Sequence, residues 1–297
     1  MSIESRERSA SPHRVSTWLY LHPRSRLAIL LSAPLTWLVV AYLGSLATMI
    51  FSAFWSVDSF TGNVIHKLTL ENFHILLTQS VYRDIALRSL GVAIFVTVVD
   101  ALIAIPIAFF MAKVLAPGLR NFAVVIIILP LWASYLVKAY AWRTMFSDSG
   151  VLAWFFGRFH ISTPGYGLFA TAITLCYLWL PYMILPIYAG LERLPDSLLE
   201  ASSDLGASAG KTFRSIIVPM IYPSIIAGSL FTFSLTLGDY IVVKIVGGKS
   251  QLMANVVYDN VGTAGNLPFA AAAALFPIIV ILGYLTFVRK SGALENF

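Results

Sequence analysis

The chain has 297 residues, 58% hydrophobic and only 11% charged, with 20 Phe, 13 Tyr and 7 Trp. Soluble domains carry roughly 25% charged residues, so this composition excludes an ordinary soluble enzyme; it excludes a disordered chain as well and fits a polytopic membrane protein. The net charge of +6 comes from 20 basic and 14 acidic residues lying mainly between apolar runs, which topology explains better than a nucleic-acid surface does.

Residues 1–26 form a basic tail carrying Arg6, Arg8, Arg14, Arg24 and Arg26, too polar at its start for a cleavable signal peptide. The uncharged run Leu27–Val57 follows, with Pro34 near its start, and is read as a retained first span. A second span fits between Arg88 and Lys113, interrupted by Asp100 and Pro106. The third is expected over Phe122–Ala141, with Pro130 and Lys138 inside it, and the fourth over 167–189, bent by Pro181 and Pro186. The fifth lies near 216–238, and the sixth near 268–288, where an alanine run and Pro277 point to close helix packing. The fold class is therefore all-α, a six-span membrane domain over 27–290 with a short tail at 291–297.

Six spans put both termini on one side. With the ends cytoplasmic, twelve Lys and Arg fall on the cytoplasmic segments and seven on the opposite ones, so both termini are expected inside. Residues 58–84 then form an external loop, with a short helix carrying Phe73, Leu76 and Leu77 on one face. A tight turn is expected at 112–121, marked by Pro117 and Gly118, and Gly-, Ser- and Asn-rich external segments at 145–165 and 247–266.

The cytoplasmic loop 190–215 differs from the others in its mixed charge. Asp196 or Ser197, just after Pro195, is placed to cap a short helix. Leu198, Leu199 and Leu205 form its apolar stripe, and Glu200 and Asp204 an i,i+4 acidic face. Gly206 and Gly210 allow a turn, and a second helix near Thr212 would run into span five. A helix this short needs another surface to hold it.

Glu200-Ala201, then Gly206, then Ile216 and Pro219 resemble the EAA signature of the membrane subunits of binding-protein-dependent ABC importers, with Ser202 and Val218 departing from its usual form. Pro130-Leu-Trp132 with Tyr140-Ala-Trp-Arg143, Pro181-Tyr182, and Leu237-Gly238-Asp239-Tyr240 before Gly247-Gly248 resemble the spermidine/putrescine-type branch. Leu267 stands where that branch more often has Trp. The resemblance implies a type I ABC importer permease of a bacterial cytoplasmic (inner) membrane, a transport subunit and not an enzyme. It further implies two ATP-binding partner subunits that hold ATP and Mg, a second homologous permease or a second copy of this chain, and an extracytoplasmic solute-binding protein. The coupling role is carried to Glu200, Ala201 and Gly206, with Asp204 and Leu205 beside them.

Gly206-Ala-Ser-Ala-Gly210-Lys-Thr212 is not a phosphate loop, because the first glycine of G-x-x-x-x-G-K would fall on Leu205. No cofactor is therefore expected on this chain. Cys176 is the single cysteine, so neither an intramolecular disulfide nor a thiolate metal site is available, and His13, His22, His66, His74 and His160 form no HExxH. Charges inside spans are costly and face protein or water, which directs attention to Asp100, Lys138 and Asp239. Asp239 beside Tyr240 suits an organic cation, as a carboxylate next to an aromatic ring does. Trp132, Tyr135 and Tyr182 are further candidates for the path, with Asp100. The expected solute is a polyamine of the putrescine or spermidine kind. The alternatives are another small solute, such as an amino acid derivative, opine or phosphonate, and an ion-coupled secondary transporter.

Overall fold

The computed structural model describes residues 22–58, 60–160 and 162–290. The expected tails at 1–26 and 291–297 lie outside these residues, apart from 22–26. The chain divides into two compact units, residues 1–52 and 53–297.

The described part of the first unit is one apolar helical run: α1 (Pro23–Trp37), a π-helical segment (Leu38–Leu43) and α2 (Gly44–Ser52). Pro23 takes the first helical position, where its missing N–H costs nothing. The stretch Arg26–Ser52 has 27 residues, about 40 Å of helix and enough to cross a bilayer core.

The second unit opens with a hairpin of two-residue strands, β1 (Ser56–Val57) and β2 (Val64–Ile65), antiparallel with Ser56 opposite Ile65. Asp58 shapes its turn by accepting the backbone N–H groups of Phe60 and Thr61 at 2.8 and 3.0 Å. These bonds hold its carboxyl below the usual carboxylate value. Helix α3 (Glu71–Thr78) follows, buried Asn72 donating to the carbonyls of Ala53 and Trp55 at 3.0 and 2.8 Å. The short helix expected within 58–84 is thus present, with Phe73 and Leu76 half-buried and Leu77 exposed. The hairpin, and a second span that already starts at Ser80, go beyond the sequence expectation.

Three long helices make the core: α4 (Ser80–Phe109, continued by a π-helical segment Phe110–Val114), α8 (Leu168–Glu192) and α11 (Val218–Gly238). Small residues bring them together. Ala104, Ala108 and Ala112 share one face of this helix and pack with Met183, Ile184 and Ile187. A Cβ on Gly228 would lie 2.8 Å from the Met183 sulfur and 3.1 Å from its Cα. Such close approach supplies the contacts that hold helices in lipid, where apolar surface alone provides no drive. The last helix, α14 (Leu267–Lys290), joins them through a 2.5 Å hydrogen bond between the Ser229 and Tyr284 hydroxyls. Of its alanine run Ala270–Ala274, Ala270–Ala273 are buried.

The third span departs from expectation. Instead of one helix over 122–141, α5 (Pro117–Trp132) and α6 (Tyr135–Phe146) meet at Ala133 and Ser134, both outside helical geometry, and the axes of Pro117–Trp132 and Tyr135–Gly157 differ by 88°. Pro130 removes a helix N–H just before the break, weakening the last turn of α5. Among the described residues five helices are long and apolar enough to span a membrane, or six if the bent pair is one span.

Three further corrections concern connections. The turn near 112–121 shrinks to Leu115 and Ala116, because Pro117 begins α5. The two segments expected to be external, 145–165 and 247–266, contain helices: α7 (Val151–Gly157) in the first, and α13 (Met253–Gly262) in the second, with α12 (Ile241–Val246) just before it. Their glycines are punctuation at helix ends, as Gly150, Gly157, Gly247 and Gly262 illustrate. Helix α8 is unbroken across Pro181 and Pro186, which neighbouring helices tolerate in membrane proteins.

Candidate functional site

Two features stand out in the second unit. The first is the connection from α8 to α11. Pro195, with extended backbone, ends the run from α8 and starts α9 (Asp196–Asp204). The expected side-chain cap from Asp196 or Ser197 is absent, since Pro195 itself holds the capping position. Asp196 turns instead to Lys113, whose ammonium lies 2.6 Å from its carboxylate and 2.6 Å from the Leu194 carbonyl. Lys113 holds the Asp196 carboxyl below the usual carboxylate value.

The end of α9 is closed by Gly206, at φ +74°, with Gly206 N–H donating to Ser203 C=O at 2.8 Å and Ala207 N–H to Ser202 C=O at 3.0 Å. This is a Schellman arrangement, and it requires the left-handed conformation glycine adopts freely. Next comes α10 (Ala209–Thr212), then a π-helical segment (Phe213–Ile217) leading into α11. The Ser202 and Thr212 hydroxyls, 2.8 Å apart, fasten α9 to α10. The expected apolar stripe is split: Leu199 packs on the body, whereas Leu198 and Leu205 are exposed, Leu205 at 88%. Glu200, Ala201, Asp204 and Gly206 are exposed with them. Helix α9 is thus held at both ends and shows apolar and acidic groups to its surroundings.

The second feature is a cavity of about 320 Å³ where α6, α8 and the break between α11 and α12 meet. Tyr135, Trp179, Ser234, Gly238, Asp239 and Tyr240 are among its lining residues. The chain leaves helical geometry at Asp239, whose Oδ1 accepts the Val242 N–H at 2.9 Å and whose Oδ2 accepts the Tyr135 hydroxyl. Trp179 stacks on Tyr135 at 5.9 Å between ring centroids, and Tyr182 meets Trp179 edge-on. Tyr240 stacks on Tyr258 at 4.5 Å, and its carbonyl accepts Asn255 Nδ2 at 3.0 Å. Lys244 lies over the Tyr258 ring at 4.2 Å and pairs with Asp259.

The structure therefore brings Tyr135, Asp239 and Tyr240 to one cavity, with Tyr182 bordering it through Trp179. Trp132 is 86% exposed and does not line it. Asp100 is fully buried on α4 beside Cys176, also away from the lining, and neither of its oxygens makes a hydrogen bond of standard geometry. Lys138 lies beyond the break, on α6, half-buried. Sequence reasoning missed Trp179 and Lys113. Trp179 has a faint signal, three residues before Tyr182 and so on the same side of a helix. Among the described residues no group of three or more His, Cys, Asp or Glu converges as a metal site would require.

Stacked apolar helices long enough to cross a bilayer, with a short exposed helix between two of them, describe a multi-pass membrane protein. The chain belongs to the family described as binding-protein-dependent transport system inner membrane component, whose profile matches residues 93–289. It is 43% identical over 300 residues to the inner membrane ABC transporter permease protein YdcU of Escherichia coli K12, covering 95% of each chain. It is 35% identical over 234 residues to the spermidine/putrescine transport system permease protein PotB of the same organism, covering 77% of this chain and 84% of the relative. In fold it is similar to a chain of a bacterial ABC transporter that imports the acidic polysaccharide alginate, with TM-score 0.67, 15% identity, and coverage of 93% and 98%. A chain of a bacterial alginate ABC transporter in complex with an alginate pentasaccharide-bound periplasmic protein gives TM-score 0.66, again at 15% identity and covering 93% and 96%. The chain is thus a permease subunit of an ABC importer with a type I permease fold, a transport component rather than an enzyme.

Proposed function

We propose that this permease moves polyamines of the putrescine or spermidine kind inward by alternating access, driven by ATP hydrolysis on two partner subunits. The observation that carries the substrate reading is the carboxylate of Asp239 in an aromatic-lined cavity. Its two oxygens accept one bond each, and a carboxylate offers about four lone-pair sites, so room is left for an ammonium group. Tyr135, Trp179 and Tyr240 supply ring faces for the same cation. The similarity to PotB supports this choice.

In this reading α9 is the contact to the ATPase, with Glu200, Ala201, Asp204, Leu205 and Gly206 on its docking face. Leu205 fills an apolar recess of the partner, and Glu200 and Asp204 meet basic groups at the rim. Closure of the ATPases moves α9 and tilts the helices fastened to it. Nucleotide and Mg stay on the partner. A second permease, homologous or identical, completes the path, and an extracytoplasmic binding protein delivers the solute. Both termini face the cytoplasm, as the distribution of Lys and Arg favours. The name of the 43% identical relative specifies no substrate, which keeps a second reading in view: the same importer for another small solute. Titrating the reconstituted complex with binding protein and putrescine, spermidine or non-amine solutes decides between them. Amine-stimulated ATP hydrolysis supports the first, and stimulation by a non-amine alone supports the second.

A further inference from the structure

The ammonium of Lys113 spans a joint. It stands in the π-helical segment that ends α4, a local geometry frequent at functional positions. One bond goes to the Leu194 carbonyl, on the α8 side of Pro195, and the other to Asp196, the first residue of α9. The two ends of the link differ in setting: the Lys113 side chain is 8% exposed and that of Asp196 70%. Met111 and Ala112 before it share a buried cluster with Leu191, Leu194 and Ile217, so the backbone carrying Lys113 is embedded where α4 meets the inner end of α8. Charge placement favours the arrangement too. A cation near the C-terminus of α8 and an anion at the N-terminus of α9 each suit the local helix dipole.

Helix α9 therefore has two polar fastenings, Lys113–Asp196 to α4 at its start and Ser202–Thr212 to α10 near its end. We propose that Lys113 is the positioning residue through which displacement of α9 is transmitted to α4. This rests on the reading of α9 as the ATPase contact. Without the link, α9 can swing about Pro195 while α4 lags, so ATP is consumed without the matching rearrangement of the core. With it, α4 and the inner end of α8 move with α9, while the second fastening carries α11.

The test is ATP hydrolysed per solute imported by the complete importer in proteoliposomes, at equal amounts of assembled complex. Asp196→Ala is the primary variant, because its exposed side chain is not needed for packing. It is expected to raise the ratio by roughly threefold or more, the scale set by a partly exposed, hydrogen-bonded ion pair. Lys113→Met is expected to do the same, and the double variant no worse than either alone, the pattern of residues acting as a pair. The exchanged pair Lys113→Asp with Asp196→Lys should recover part of the loss. A wild-type ratio in Asp196→Ala, or independent additive effects of the two substitutions, overturns the link. If the wild-type permease neither binds nor stimulates an ATPase, the reading of α9 itself fails, an outcome distinct from normal coupling in both wild type and variant.

Discussion

Tyr135 and Asp239 lie 104 residues apart in the chain, yet the hydroxyl of the first donates to the carboxylate of the second at the edge of the cavity. The bond joins the start of α6, just past an 88° bend, to the point where α11 stops being helical. It fixes a carboxylate against ring faces, and the same carboxylate accepts the Val242 N–H at the start of α12.

Removing the charge while keeping the shape separates these roles. Asp239→Asn retains an oxygen that can accept the Val242 N–H, so the permease should assemble. Amine uptake should fall about tenfold or more at sub-saturating solute, the scale of a lost charge-assisted bond. Tyr135→Phe should cost less, because the carboxylate remains. Initial uptake rates in proteoliposomes at several amine concentrations check both.

The exposed face of α9 gives a second prediction. Leu205 is 88% exposed and makes no apolar contact that folding needs. Leu205→Asp should leave the permease folded and reduce recovery of the ATPase in affinity purification several-fold. Gly206→Ala acts differently, imposing on a residue with a Cβ the φ of +74°, at a cost of roughly 1–2 kcal/mol. It should loosen the end of α9 and lower the midpoint of thermal unfolding.

Packing between α8 and α11 is a third. A Cβ at Gly190 would come 2.2 Å from Ser224 Oγ and 2.9 Å from Ser224 Cβ, and one at Gly228 would meet the Met183 sulfur and backbone at 2.8–3.2 Å, so both positions resist a side chain. Gly228→Leu, which drives the larger side chain toward backbone, should be the more damaging of Gly228→Leu and Gly190→Ala, with overpacking of order 1–3 kcal/mol or more. Thermal unfolding of the detergent-solubilised permease ranks them.

The Asp196 carboxyl, held below its ordinary value by Lys113, predicts a pH profile. A lowered folded-state value gives a contribution that is present in full above the unfolded value, near 3.8, and lost as pH falls through the folded value. The ATP-per-solute ratio should accordingly stay constant between about pH 8 and pH 5, where the Asp196 carboxylate remains charged. A rise in that ratio across this range would contradict the ion pair.

The long helices were legible because an uncharged apolar run of that length has few other structures available in lipid. Gly206 was legible for a similar reason: a glycine after an amphipathic stretch marks the end of a helix. The break at Ala133 and Ser134 was not, because neither residue is a breaker and Pro130 is compatible with a continuous membrane helix. The hairpin at 56–65 has strands too short to show alternation. Lys113 looked like one more cytoplasmic charge, since its acidic partner lies 83 residues further on. The cavity was half legible: Asp239 and Tyr240 are neighbours in sequence, while Tyr135 and Trp179 arrive from separate helices.

The most direct test of the account is uptake of labelled putrescine or spermidine by proteoliposomes holding the permease with its ATPase and binding-protein partners. The account predicts accumulation that requires ATP and the binding protein and stops when ATP hydrolysis is blocked. Uptake that proceeds without the ATPase, driven by an ion gradient alone, would contradict it.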